Sequence, residues 1–462
     1  MPDPPAATPR QHVFQPPRGT RDFYPAQMLR RRWIEDQWRR TAIRHGFEEI
    51  DGPRFEHADL YTVKSGEEIL SELFSFTRAG GETRFALRPE FTPTLARMVA
   101  ARANSLPKPT KWFSVGPYFR AERPQRGRLR EFLQWNVDII GGDPYRSEDA
   151  IAHDAEIITL CIELLRAVGL TSNDVHIRLN NRKAVVNMLR YCGCPVGKIS
   201  RAIELLDMRG KVDPDAHKQL ALQSGIPDDA ALFISKGSMP IKIPTRGRLH
   251  DALAPLSLGG LFDYLMPLTR LLQDMDLDDW ILIDHGLVRG LAYYTDTVFE
   301  VHEHSGAERA IAGGGRYDNL IELFGGPPTP AVGFAMGDVV LANVLQDKGL
   351  MPSDDALRDS LGLRPDVFVI STGADESEAA LPGVVSTLRR ANLHARHTTK
   401  STRNIGKLLK EAASVGARFA LIIEDADTGA LKNLDTGAQD EGVPIADLPA
   451  RLLASARTAE AP

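Results

Sequence analysis

An α/β protein of two or three domains is the fold class that three observations predict. The chain has 462 residues, and at roughly 150 residues per domain that is room for more than one hydrophobic core. Apolar residues recur at helical spacing in some stretches and alternate in others, so helices and strands are both expected. Near residue 366 the pattern restarts, with the buried-strand run Val367-Phe-Val-Ile370 followed by a helical stretch, which marks a separate C-terminal α/β domain. A hydrophobic fraction of 43%, a charged fraction of 25% and an aromatic fraction of 7% exclude wholesale disorder. The formal net charge of -5 means that any bound nucleic acid must meet a local basic surface rather than a generally cationic protein. No internal repeat is visible, which removes solenoids and propellers.

In chain order, Met1-Pro-Asp-Pro-Pro-Ala-Ala-Thr-Pro-Arg10 lacks the apolar core of a signal peptide, and no run approaches the ~18 apolar residues of a membrane span. Residues 1–17 read as a proline-rich disordered tail, with no membrane partner. Three cysteines in so long a chain cannot build a disulfide framework, which fits a reducing cytoplasm. Cys161 lies in an apolar helical run, and Cys192-Gly-Cys194 lacks the second ligand pair that tetrahedral zinc takes. No metal site is assigned. Pro25 opens a helix whose apolar residues Leu29, Trp33, Ile34 and Trp38 recur at helical spacing, and Gly46 is its stop. The arginines on its other face read as a solvated surface. A second helix begins at Ser147, where Glu148 and Asp149 suit the positive end of the dipole, and ends at Gly169. From about Thr171 to Asp279 short helical patches (184–189, 199–206, 261–272) alternate with turn residues, and the segment reads as an inserted domain.

Chemistry concentrates in four segments. The first, Lys111 to Gly142, has two alternating runs around a loop of arginine and glycine, the pattern of a long antiparallel hairpin. On its second strand Leu133, Trp135, Val137 and Ile139 share an apolar face, and Gln134, Asn136 and Asp138 share a polar one. On its first strand Ser114, Gly116, Tyr118 and Arg120 lie on one face. Such a polar floor is either a solvated sheet face or a binding surface. The loop Glu122-Arg-Pro-Gln-Arg-Gly-Arg-Leu-Arg130 favours the second reading, because guanidinium forks match phosphate oxygens.

The second segment, Asp284 to Glu300, sets Arg289 between glycine and apolar residues ahead of an alternating strand. Arg289 either closes a turn through backbone carbonyls or faces a substrate carboxylate or phosphate, and Tyr294 alternates with Asp296 and Glu300. The third, Ala312-Gly-Gly-Gly-Arg-Tyr-Asp318, has neither the Lys-Ser/Thr ending of a P-loop nor dinucleotide-fingerprint spacing. Its glycines imply close backbone approach, to a ligand or to a packed strand. In the fourth, Leu87-Arg-Pro-Glu-Phe-Thr-Pro93, Thr92 is placed to cap a helix that starts at Pro93. Glu90 either binds an ammonium group or favours the helix dipole.

These segments, in this order, closely resemble the histidyl-tRNA synthetase family of class II aminoacyl-tRNA synthetases. The resemblance runs from Arg18-Gly-Thr-Arg-Asp-Phe-Tyr-Pro25 into the C-terminal domain. Gly46-Phe-Glu-Glu-Ile-Asp-Gly-Pro53 is similar to class II motif 1 with its interface proline, Phe119 to Phe132 is similar to motif 2, and Leu287-Val-Arg-Gly-Leu-Ala-Tyr-Tyr294 is similar to the histidine-specific motif. The resemblance implies an α/β (α+β) fold: a mixed, mainly antiparallel catalytic sheet with helices, a helical insertion and a C-terminal α/β anticodon-binding domain. Its parts would be a catalytic domain over 18–172 and 280–348, an insertion over 173–279, a linker over 349–364, an anticodon-binding domain over 365–455 and a tail over 456–462. It implies a cytoplasmic homodimer that activates L-histidine with ATP, taken as its Mg2+ complex, and passes the product to histidine tRNA.

Residue by residue, the resemblance implies that Arg120 and Arg289 stabilise charge at the α-phosphate, where positioned cations act without supplying a proton or nucleophile. It places Glu90, Thr92 and Gln134 on the substrate α-amino group, and Asp138, Tyr294 and Tyr317 on the imidazole. Arg120 and Glu122 would meet ATP, and Arg123 and Gln125 the tRNA acceptor end. In Ser401 to Ala420, Arg403 and Lys407, with Lys400, Lys410 and Arg418 nearby, would form the local basic surface for tRNA; the other reading of these residues is a solvated helix face.

Two departures stand out. Family motif 3 carries an arginine after its glycine, where it meets ATP; here Gly333-Phe-Ala-Met-Gly337 continues as Asp338-Val-Val-Leu341, with Val340 at that place. Ala292 stands where many relatives carry Asp. These departures keep an alternative open, a histidine-binding regulatory subunit of ATP phosphoribosyltransferase without aminoacylation activity. Such subunits generally lack the C-terminal domain. A third reading is a nucleic-acid-binding scaffold that no longer binds ATP.

Overall fold

The computed structural model describes residues 14–65, 72–142, 147–209, 212–236, 241–242, 265–288 and 293–459. The chain divides into two compact units, one of residues 1–23 and 34–351, the other of residues 24–33 and 352–462. Helix α1 (Pro25–Arg44) begins at the proline that predicts it. Gly46 and Gly169, the expected stops of the first and second helices, adopt left-handed φ values of +77° and +88°.

The larger unit is built on a nine-stranded sheet. Its strands are β1 (Glu48–Glu49), β5 (Thr110–Phe119), β6 (Glu131–Ile140), β7 (Val175–Asn181), β8 (Ile241–Lys242), β9 (Ile281–Ile283), β10 (Thr297–Glu303), β11 (Ala312–Arg316) and β12 (Ala331–Gly337). Their spatial order is β1-β5-β6-β12-β11-β10-β7-β9-β8. The run from β5 to β7 is antiparallel throughout, and among the described residues of this sheet parallel pairing occurs only at β1–β5 and β7–β9. The mixed, mainly antiparallel sheet is therefore present. A three-stranded sheet, β2 (Phe55–His57), β3 (Ser75–Thr77) and β4 (Arg84–Leu87), in the order β2-β4-β3, precedes the helix Thr92–Arg102.

Apolar faces decide where the helices lie. Trp38 of α1 stacks on Trp135 of β6 with ring centroids 6.1 Å apart, and Phe334 of β12 meets the same indole edge-on at 5.2 Å. The long helix Ser147–Ala167 buries Ile157, Leu160, Cys161 and Leu164 completely, so Cys161 is the core residue its apolar run predicts. One contact fixes that helix to the sheet. Arg316 of β11 gives Nη2 and Nε to Asp154 Oδ1 at 2.6 and 3.0 Å, and both side chains are buried.

The expected helical patches appear as Arg182–Tyr191, Ile199–Asp207 and Met266–Asp274, the last of which starts later than the predicted 261–272; residues 261–264 lie outside the described residues. The helices from Arg182 to Lys236 enclose a core of their own around Val185, Leu189, Leu205 and Ile234. The second unit carries a five-stranded sheet in the order β14-β13-β15-β16-β17, formed by β13 (Val367–Ser371), β14 (Ala395–His397), β15 (Phe419–Ile423), β16 (Thr428–Asn433) and β17 (Gln439–Pro444). Its first three strands in space are parallel, as buried apolar strands with helical crossovers require.

Candidate active site

The site grows from the alternation of β6. Its apolar residues face α1 and the core, and Gln134, Asn136 and Asp138 on the other face are buried as well. Of the two readings open for this polar floor, the structure supports a lined cleft rather than a solvated sheet face. In the β5–β6 register Gly116 stands opposite Gln134 and Ser114 opposite Asn136. Asn136 Nδ2 donates to Tyr118 Oη at 3.2 Å. Gly116 lacks a side chain for a reason: a Cβ there would lie 2.2 Å from Arg88 Nη2.

Arg88 itself is wholly buried. It donates Nη1–H to Asp51 at 2.7 Å and to the carbonyl of Gly52 at 3.1 Å, and Nε–H to the carbonyl of Pro117 at 3.0 Å. This knot holds the segment that carries Glu90 and Thr92 against β5. Thr92 is not the helix cap expected from its position. Phe91 is the N-cap, with its carbonyl accepting from Leu95 N–H at 2.9 Å, and no side chain caps the helix. Pro93 still falls in the first turn, where a missing N–H costs nothing.

Beyond β6, strand β12 sets Gly333 opposite Asp138. A Cβ on Gly333 would lie 2.0 Å from Asp138 Oδ1, so glycine makes room for the carboxylate. Tyr317, just past β11, donates to Asp138 Oδ1 at 2.5 Å. Burial pushes the Asp138 carboxyl up to about 7, with the Tyr317 hydrogen bond acting the other way. Burial and Asp138 push the Tyr317 phenol well above its ordinary value. Tyr294 lies against Tyr293 with centroids 4.5 Å apart, and Tyr293 meets Tyr317 edge-on at 5.8 Å. Gly314 and Gly315 allow this packing, because Cβ atoms there would lie 2.2 Å from the Gly333 carbonyl and 2.8 Å from the Tyr294 ring. Packed neighbours thus account for Gly314 and Gly315, while Gly313 lines the cleft.

One narrow cleft therefore brings together Glu90, Thr92, Arg120, Gln134, Asp138, Tyr294 and Tyr317. Sequence reasoning missed Tyr293 as a lining residue and assigned no role to Asn136; adjacency to Tyr294 and the alternation of β6 were the available signals. Asp296 is not part of the cleft lining, since Asn181 and Lys183 occupy its carboxylate. Arg120 and Gln134 also border a cavity of about 920 Å³, which is lined further by Glu122, Gln125, Arg128 and Val340. Arg120 gives Nε–H to the Pro89 carbonyl at 3.2 Å and lies 5.5 Å from the Phe132 ring centroid. It stands at the junction of cleft and cavity.

The loop over the cavity turns tightly. Gln125 and Arg128 exchange backbone bonds of 3.0 and 2.9 Å, and Gly127 between them has φ +73°. Arg128 Nη1 donates to Glu122 Oε1 at 2.5 Å, while Arg123 and Gln125 are exposed. Asp338, the first residue of helix Asp338–Asp347, accepts Leu133 N–H at 2.9 Å and Arg21 Nη2 at 2.7 Å, joining that helix to the base of the loop. Val340 on this helix is buried. Arg289 lies outside the described residues, as does Ala292.

In the C-terminal unit Arg403 pairs with Glu378, Lys400 with Glu411 and Arg418 with Asp359. Lys407 is exposed on helix Ile405–Ser414 and donates its backbone N–H to the capping Asn404. Among the described residues no group of three or more His, Cys, Asp or Glu side chains is arranged to hold a metal ion. No described helix is long and apolar enough to cross a membrane.

In chemical terms, the cleft offers a carboxylate and phenols to a small ligand with ring N–H groups, and the junction offers a guanidinium to an anion. The family model for histidyl-tRNA synthetase matches residues 19–338. The chain belongs to the histidyl-tRNA synthetase family. Within the family it is 42% identical over 413 residues to the histidine–tRNA ligase of Opitutus terrae, covering 89% of this chain and 90% of that one. Its fold is that of the histidyl-tRNA synthetase from Nostoc sp. PCC 7120, with a TM-score of 0.72 over 96% of this chain and 99% of that one, at 24% identity. It is also similar in fold to an ATP phosphoribosyltransferase regulatory subunit/histidyl-tRNA synthetase from Bacillus halodurans, with a TM-score of 0.64 over 86% of this chain and 96% of that one, at 19% identity.

Proposed function

We propose that this aminoacyl-tRNA synthetase activates L-histidine with ATP and transfers it to the 3′ end of histidine tRNA. A carboxylate oxygen of histidine attacks the α-phosphorus of ATP, the bond to pyrophosphate breaks, and histidyl-adenylate forms. A hydroxyl of the terminal tRNA ribose then attacks the activated carbonyl and releases AMP. The observation that carries this reading is the meeting of cleft and cavity at Arg120: an amino acid bound in the cleft presents its carboxylate where a nucleotide in the cavity presents its α-phosphate. Such placement supplies proximity, and the guanidinium supplies charge stabilisation.

In this reading Asp138, Tyr317 and Tyr294 receive the imidazole, whose two nitrogens they can satisfy, so isosteres leave buried groups unpaired. Glu90, Thr92 and Gln134 hold the α-ammonium group. Arg289 joins Arg120 at the reacting phosphate, and Glu122 faces ATP, which enters as its Mg2+ complex with the metal neutralising phosphate charge. Arg123 and Gln125, exposed on the loop, reach the tRNA acceptor end, and Arg403 and Lys407 belong to the anticodon-binding part over 365–455. The working unit is a cytoplasmic homodimer.

The test is exchange of labelled pyrophosphate into ATP with each standard amino acid in turn. Exchange with histidine alone is expected. Histidine binding without exchange would replace this reading by the regulatory one.

A further inference from the structure

Among the described residues five arginines line the large cavity: Arg120, Arg128, Arg178, Arg209 and Arg309. Three are in ion pairs within the protein, two of them sharing one carboxylate. Arg128 pairs with Glu122 at 2.5 Å, and Arg178 and Arg209 both pair with Asp284, at 3.6 and 3.2 Å. Among the described residues Arg120 has only the Pro89 carbonyl and the Phe132 ring. Arg309, on the loop between β10 and β11, makes no ion pair or side-chain hydrogen bond among the described residues.

The backbone that presents Arg309 is nonetheless anchored. Its neighbour Glu308 is buried and accepts from Arg126 at 2.5 Å and from Asn343 at 3.2 Å. Arg309 is thus a cation held on a fixed stem at the cavity wall, with no carboxylate in ion-pair contact among the described residues. Burial, then Arg128 and then Arg120 push its guanidinium below its ordinary value, with Glu122 and Glu300 opposing. Like charges gathered in a concave site raise the local potential for a polyanion.

A second observation gives the position a meaning. A Cβ on Gly127 would lie 3.1 Å from Glu308 Oε2, 3.3 Å from Val340 Cγ2 and 3.7 Å from Arg309 Cδ. The Val340 side chain and the Arg309 stem therefore flank the same point beneath the loop tip. The helix offers a methyl group where family motif 3 carries a cation, and the β10–β11 loop brings a guanidinium beside it.

We propose that Arg309 is an ATP-contacting residue, a bidentate donor to nucleotide phosphate oxygens that supplies from the β10–β11 loop the positive charge absent at Val340. The inference rests on the ATP-dependent reading above and adds a residue to it. With Arg120 it forms a two-cation wall, and a planar fork on a pinned loop loses little freedom when phosphate binds.

The experiment compares the parent chain with Arg309→Ala, Arg309→Lys and the double variant Arg309→Ala/Val340→Arg. Pyrophosphate exchange is measured at varied ATP and varied histidine, and binding of a non-hydrolysable ATP analogue by calorimetry. Arg309→Ala is expected to lower kcat/KM for ATP about 100-fold, the ordinary cost of one positioned donor to a developing charge, and to change KM for histidine less than about threefold. Arg309→Lys should fall between, keeping the charge without the fork. The double variant should regain about tenfold or more of the lost ATP efficiency, because it returns a cation beside the same point. Equal losses for ATP and histidine, or undiminished ATP efficiency in Arg309→Ala, would overturn the proposal, as would a folded double variant with no recovery. Thermal melting of each variant identifies folding failure. If the parent itself shows no exchange, the proposed function fails, and the calorimetry still decides whether Arg309 binds nucleotide.

Discussion

Tyr317 donates its phenolic hydrogen bond to Asp138 at 2.5 Å, and Gly333 on the adjoining strand leaves room for the carboxylate that accepts it. Two strands and the turn after a third thus converge on one oxygen atom.

Asp138 is expected to make stability depend on pH. Burial raises its carboxyl from 3.8 to about 7, so its contribution is fully present below pH 3.8 and is lost as pH rises through 7. The parent should therefore lose stability relative to Asp138→Asn across that window, by a few kcal/mol at most, with no further change above about pH 8. Denaturant midpoints of both proteins at stepped pH measure this. A difference that does not vary with pH would mean that Asp138 is ionised throughout. The same variant should raise KM for histidine while leaving KM for ATP nearly unchanged.

Gly333→Ala tests the making of room. The added methyl group would sit 2.0 Å from Asp138 Oδ1 and 2.5 Å from the Val137 carbonyl, so carboxylate or strand must shift. Histidine KM in the exchange reaction should rise by roughly 10- to 100-fold, as expected when a recognition group is misplaced by about 1 Å. Unchanged histidine KM in a folded variant would place Asp138 outside the recognition of the ring.

Arg120→Ala should reduce the exchange rate by about 10²- to 10³-fold with little loss of stability, because the side chain has no carboxylate partner among the described residues and acts on charge that develops during reaction. Arg120→Lys should recover part of the rate. A large drop in melting temperature for Arg120→Ala would assign the residue to the scaffold instead.

The pair Arg316–Asp154 belongs to the scaffold. Asp154 also accepts from Thr297 Oγ1 at 2.6 Å, and Asp318 accepts from Arg316 Nη1 at 3.1 Å, so Asp154→Ala leaves the buried guanidinium with the partly exposed Asp318 as its remaining carboxylate and should destabilise by about 3 kcal/mol. Thr297→Val removes only one neutral donor and should cost about 1 kcal/mol. Urea unfolding distinguishes the two, and near-equal losses would show that the charge on Arg316 is relieved elsewhere.

Local patterning was sufficient for the features that depend on near neighbours in the chain. Alternation in residues 111–142 identified the hairpin and the face that carries Gln134, Asn136 and Asp138, because strand periodicity sorts side chains without reference to anything distant. Proline and glycine marked the start of α1 and the ends of the first two helices for the same reason. The roles of Glu90, Tyr294 and Tyr317 entered through resemblance, since nothing local says that residues so far apart share a cleft. Arg88 shows the limit most clearly: its sequence context gives no sign of a guanidinium buried among Asp51, Gly52 and Pro117. Thr92 gave a false sign, because a capping residue type does not fix where helical bonding starts, and Phe91 took the cap. No role was assigned to Arg309 from the sequence. Only tertiary structure could separate it from the paired cavity arginines, because whether a cation is in an ion pair depends on carboxylates brought into contact by the fold, and Asp284 and Glu122 make their ion pairs with its neighbours.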